Sequence, residues 1–223
     1  MTLMFEAVQH EKLGEVIYAR LSAALVSGAL KPGERLKIRE LANQMETSVT
    51  PVRDAILHLV QDGALCLRSP RDIRVRELSL TEYLEIRDIR VELEGLAAAR
   101  ASQNAKLADI RALVSLTEEN ELALRAGDAQ LATKLNQMFH FQIATIAQLP
   151  ILASILGRVW LQMGPLVSES YEVGGRAMID YHYPIVEAVR RGDADAARQA
   201  MGDDIKLGGQ VILQRKSDEA AKF

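Results

Sequence analysis

Thr50, Arg53 and Asp54 interrupt a run whose apolar residues recur at helical spacing: Val52, Ala55, Ile56, Leu59 and Val60. Those five share one helix face, so the polar three point away from it. A guanidinium held on such an exposed face can fork onto the two acceptors of a guanine edge or pair with a phosphate. Ser48 stands where it can accept hydrogen bonds from the amides that open this helix, and Pro51 falls in the first turn, where a missing N–H costs little. Upstream, Leu41, Ala42 and Met45 give Arg39–Met45 an apolar face of its own. A short helix, a tight turn and a second helix form the geometry that enters a major groove.

Arg90 is the other charged side chain in a telling place. Tyr83, Ile86, Leu93 and Ala97 form the buried stripe of a long helix, and Arg90 lies within it, four after Ile86 and three before Leu93. A guanidinium there needs a partner: Glu94 at i+4 can supply one, or a bound acid can. Arg87, Trp160, Tyr171, Tyr181 and Tyr183 can line the same interior, although a lone aromatic on a helix is more often core. Signatures of catalysis are missing: there is no His-Glu-x-x-His, no Gly-x-Ser-x-Gly, no phosphate loop, and Cys66 has no evident base.

The elements that must position these residues are mostly helices. The chain has 223 residues, 48% hydrophobic, 26% charged and only 4% aromatic, ordinary for a globular protein with a sizeable core. Pro is nearly absent between Pro70 and Pro150, which favours helices over a sandwich or barrel. Helices are expected over Phe5–Ser27, ended by Gly28, then over the two motif helices. Lys31–Leu36 reads as a turn. A small hairpin follows, with Cys66, Ile73 and Val75 on one side and Arg68, Arg74 and Arg76 on the other. Leu78–Glu82 is a linker in which Ser79 or Thr81 caps a long helix to about Ser102. Further helices are expected over 106–126, 128–147, 150–168, 174–191 and 194–213, with a frayed polar tail from Gln214. The fold class is therefore mainly α, with an N-terminal winged helix-turn-helix over 1–78 and a C-terminal all-helical bundle over 79–223.

Net charge is −3, but Lys31–Arg76 holds nine Lys or Arg against six Asp or Glu, a local basic patch of the kind phosphates need. No run is read as reaching the roughly 18 apolar residues of a membrane span, and the start lacks a basic segment ahead of an apolar one. A lone Cys66, read as a packing residue, fits a reducing compartment. A cytoplasmic protein is expected.

Three stretches carry a resemblance: Gly28–Leu36, Ser48–Ile56, and Arg90–Glu94 at the head of the helical half. Together they resemble the GntR family of bacterial transcription regulators, and within it the FadR-type subfamily, over almost the whole chain. That resemblance implies a homodimer on a palindromic double-stranded DNA operator and a C-terminal bundle that binds a small organic acid. It places DNA contacts at Arg39, Arg53 and the wing around Arg71, with Ser48 and Thr50 completing the set. Val49 stands where the family often has a base-reading arginine, and Arg71-Asp72 replaces the usual wing glycine.

The subfamily often carries a metal site of one aspartate and three histidines, and the matching positions are Asn136, His140, His182 and Asp204. Two imidazoles, one carboxylate and one amide oxygen can hold a divalent ion such as zinc, nickel or manganese with open positions for a ligand. The resemblance also implies effector contacts at Arg90, His140 and His182. The expected function is a regulator and not an enzyme. Two alternatives are a metal-dependent enzyme using His140, His182 and Asp204, and a DNA-bound adaptor without an effector.

Overall fold

The computed structural model describes residues 11–69 and 71–221. Residues 5–10 of the expected opening helix, with the apolar position Val8, lie outside them. Helix α1 (Glu11–Val26) buries Ile17, Leu21 and Leu25, while Leu13 and Val16, also expected inside, are about half exposed. Helices α2 (Ile38–Gln44) and α3 (Val49–Gln61) form the helix-turn-helix, with the turn passing through a left-handed Glu46. Val52, Ala55, Ile56 and Leu59 are buried, and Thr50, Arg53 and Asp54 are exposed, as their spacing requires.

The wing has three antiparallel strands in the order β1-β3-β2: β1 (Arg35–Leu36), β2 (Leu65–Ser69) and β3 (Asp72–Val75). Strand β1 falls where the sequence suggested only a turn, because two residues after the Pro-Gly pair suffice to ladder with Ile73 and Arg74. Leu65 pairs Val75 and Cys66 pairs Arg74. Directly opposed residues share a face, so Leu65 joins Val75 inside and the half-buried Cys66 lies on the arginine side, contrary to the expected alternation.

Helix α4 (Leu80–Asn104) starts at a full capping box: Ser79 accepts from the Glu82 amide, and Glu82 accepts from the Ser79 amide. Around it pack α6 (Ala129–Ile146), α7 (Pro150–Gly174), α8 (His182–Arg191), α9 (Ala194–Asp203) and α10 (Gln210–Ala220), while α5 (Leu107–Arg125) packs on α6 and α8. Gly95 faces Arg198 of α9, and Gly202 of α9 faces Val91, so α9 packs closely on α4. Helix α7 runs past the expected end at 168, and its Pro150–Tyr171 stretch is long and apolar enough to cross a membrane by length and composition. It is a core helix here, packed by α1, α4 and α6, and being covered on several sides it needs no polar stripe.

The expected helix over 174–191 breaks at Gly174-Gly175 into a short 3₁₀ turn (Gly175–Met178), and α8 begins at His182. The expected 194–213 helix is interrupted by a π-helical turn at Asp204–Gly208. Beyond it the tail is helical to Ala220. Lys216 is buried, Gln214 and Arg215 reach Asp218 and Glu219 four residues on, and Arg215 pairs Glu169 on α7 at 2.7 Å.

Candidate nucleic-acid interface and metal centre

The DNA-facing candidates converge. Arg39 from α2, Arg53 from α3 and Arg71 beside β3 line one groove of about 670 Å³, together with Arg35, Lys37 and Val49. Of the wing arginines, Arg74 pairs Asp72 at 3.0 Å, Arg76 pairs Glu82, and Arg68 reaches Glu77 at 3.4 Å. Asp72 also takes Arg35 at 3.4 Å. Among the described residues Arg39, Arg53 and Arg71 have no carboxylate partner, so their full charge is available to phosphate or base. Ser48 occupies the N-cap position but makes no side-chain cap bond. Pro51 is the third helical residue and has no amide for a capping hydroxyl to bind, which leaves only the Thr50 amide as a capping donor. Ser48 and Thr50 are exposed at the opening of α3. Arg35 and Lys37 were missed because a two-residue strand brings them to the groove.

The second group lies inside the bundle. His140 on α6, His182 at the start of α8 and Asp204 at the start of the π turn each offer a ligand atom, and these atoms all lie within 4.8 Å of one another. Asp204 bridges the pair, with its carboxylate oxygens 3.4 Å from His140 Nε2 and 3.6 Å from His182 Nε2. Behind His140, Nδ1 lies 2.5 Å from Glu94 Oε2, while Glu94 Oε1 lies 2.5 Å from Arg90 Nε. The Arg90 guanidinium stacks over Trp160, 4.5 Å from its ring centre. Phe139 stacks on His182 at 4.1 Å.

Burial would raise the Glu94 carboxyl, but Arg90 and His140 outweigh it and hold it down at about 2. Asp204 is pushed up to about 6 by burial, against the pull of His140 and Arg90. Burial, with His140 adding to it, pushes His182 well below the usual histidine range, so its imidazole is neutral. Neither ring nitrogen of His182 has a hydrogen-bond partner among the described residues.

Comparison with known proteins gives this geometry its setting. The family of bacterial regulatory proteins, gntR family, matches residues 13–75, and the FCD domain matches residues 85–206. The chain belongs to the GntR family. It is 30% identical to the HTH-type transcriptional regulator McbR of Escherichia coli (strain K12), over 93% of this chain and 96% of McbR. The solved McbR/YncC structure from E. coli superposes with a TM-score of 0.85, covering 92% of this chain and 98% of that one. A probable D-xylose utilization operon transcriptional repressor of Paenarthrobacter nicotinovorans is 30% identical, covering 79% of this chain and 78% of its own. A GntR-type regulator from Rhodococcus sp. RHA1, 15% identical with a TM-score of 0.74, shares the fold. The protein is thus a DNA-binding transcriptional regulator and not an enzyme.

In this GntR regulator the buried donor set fits a divalent ion on its own chemistry. It offers one carboxylate, two imidazoles and two orphaned ring nitrogens on a fully enclosed His182. His140, His182 and Asp204 would hold the ion. Glu94, which sequence spacing assigned only to Arg90, orients His140 from behind, as carboxylates do for ligating histidines. The missed signal was a glutamate four after Arg90 in the same buried stripe. Asn136 is buried one turn before His140. Arg90 is already engaged by Glu94, Trp160 and Met163, which fulfils the structural-pair alternative. Tyr171 accepts from Asn120, Tyr183 bonds Glu121 and Arg87 pairs Asp88, so these side chains have partners of their own.

Proposed function

We propose that this regulator binds a palindromic operator as a homodimer in the cytoplasm, and that the bundle takes a divalent ion and a small organic acid that modulate DNA binding. The division would fall at 78/79, with DNA contacts from Arg39, Arg53 and Arg71, joined by Ser48 and Thr50 at the helix opening. A single recognition helix reads too few base pairs to select one genomic site, which supports paired copies about one DNA turn apart. The observation that carries the ligand reading is the enclosed His140, His182 and Asp204 cluster, whose unpartnered His182 would otherwise be a cost without return. Such an ion would supply an electrophilic anchor for a carboxylate. Arg90 would act on an acid through Glu94 and His140, since its Nε is already held by Glu94 and its Nη1 faces Met163.

The test is sedimentation of the full chain together with metal analysis and melting shifts under zinc, nickel and manganese, alone and with a panel of carboxylic acids. A dimer with a metal shift that an acid enlarges is expected. A dimer with no bound metal and no shift would replace this reading with that of an adaptor whose bundle serves only assembly.

A further inference from the structure

Asp62 ends the recognition helix and is 8% exposed. One carboxylate oxygen accepts the Tyr18 hydroxyl of α1 at 2.6 Å, and the other lies 3.3 Å from Arg158 Nε on α7. Its backbone carbonyl accepts from Gln162 Nε2, one turn further along α7, at 3.0 Å. His58, one turn back on α3, stacks on Tyr18 at 4.4 Å. The last turn of the DNA-reading helix is therefore tied to two other helices through one residue. Further along α7, Gly164 faces the Val26 backbone at the end of α1 and the Ser168 hydroxyl donates to the Ser27 carbonyl at 3.2 Å. Trp160, one turn before Gly164, and Met163 touch Arg90 at the buried cluster.

We infer that Asp62 is a positioning residue that clamps the recognition helix to α7, and that α7 carries changes at the histidine cluster to the DNA-reading surface. The second half rests on the proposed ligand role of that cluster. The need for a clamp is physical: covalently linked domains move relative to one another unless their interface is large or specifically bonded. A helix that must present Arg53 to a base cannot be left to swing. Helix α7 is one element with both contacts on it, within a few residues of each other, so tilting it at Trp160 displaces Arg158 and Gln162 together.

The chain holds a single Trp, in α7, and a single Cys, in the wing, so energy transfer from Trp160 to a fluorophore on Cys66 reports the attitude of the DNA-binding elements without further engineering. In the full-length protein a narrow distance distribution is expected. The Arg158→Ala/Gln162→Ala pair, with one side chain already 69% exposed, should broaden and shift it while leaving the melting temperature nearly unchanged. Asp62→Ala should broaden it further. A distribution in the folded double variant that matches the parent overturns the clamp. Zinc should shift the transfer efficiency in the parent and not in the double variant. Zinc that raises the melting temperature of the parent without moving the transfer overturns the route through α7 and leaves the clamp standing. If zinc does not bind the parent at all, the ligand reading of the cluster falls, and the metal-free distributions still decide the clamp.

Discussion

Neither Arg53 nor Arg71 has a carboxylate partner among the described residues, yet they sit on different supports, and that difference separates their roles. Arg53 projects from a rigid helix whose far side is buried, so its fork is aimed. Arg53→Ala should cost about 1–3 kcal/mol of operator affinity and relax preference at one base position, measured by competition binding with single-base operator variants. Arg71, at the wing, should act on phosphate, so Arg71→Ala should weaken all sequences alike and flatten the salt dependence. At the cluster, Asp204 is the one carboxylate between two imidazoles. Asp204→Ala should abolish metal-induced melting shifts, and Asn136→Asp with Asp204→His should tighten zinc, as titration with a competing chelator would show. The residue types in both places were legible because helical spacing fixes which side chains face out or in. What stayed hidden were contacts between distant elements. Asp72 neutralises Arg35 only once β1 pairs β3, and Glu94 reaches His140 only across the α4–α6 interface.

Among the elements, the start of α4 makes the sharpest claim about pH. Glu82 accepts from the Ser79 amide and hydroxyl and from Arg76, and these bonds hold its carboxyl at about 2 in place of the ordinary 4.5. A folded-state value below the unfolded one stabilises the fold above about 4.5, and this contribution disappears as pH falls towards 2. Glu82→Gln keeps an acceptor for the capping box but carries no charge, so its acid-unfolding curve between those limits should be less steep than the parent's. Ser79→Ala should cost about 1 kcal/mol at neutral pH, read from urea denaturation. Helices α5 and α6 matched expectation to within a residue or two because Gly127 marks the break between them. The segments after α7 did not. A helical hydrophobic period continues smoothly across 3₁₀ and π turns, so it cannot mark where the hydrogen-bond pattern changes.

For the molecule as a whole, α7 is the shared wall between the DNA-binding elements and the bundle. A Cβ at Gly164 would lie 2.5 Å from Val26 Cα, a backbone atom that cannot swing aside. Gly164→Ala should destabilise by about 1–3 kcal/mol through overpacking. Gly157, on the same helix, faces open space, and Gly157→Ala should be neutral or stabilising by up to about 1 kcal/mol. Paired thermal melts check both, and equal effects would show that the wall is not a tight contact. The two-part plan was readable from composition and motif order. The close approach of α1 to α7 was not, since one glycine in an apolar helix says nothing about which neighbour it admits.

The π turn at Asp204–Gly208 has a consequence for how this chain can change length. A π turn holds one residue more than the helix around it needs, so losing one residue there lets α9 run on with regular α geometry and costs little in folding. The same deletion turns every side chain on one side of it by about 100° relative to those on the other. Shortening the chain by a single codon at Ile205–Leu207 should therefore leave the helical bundle folded while turning α10 relative to α9 and Asp204. An in-frame deletion at that point is a way for such a regulator to turn its last helix against the buried acid without losing its fold.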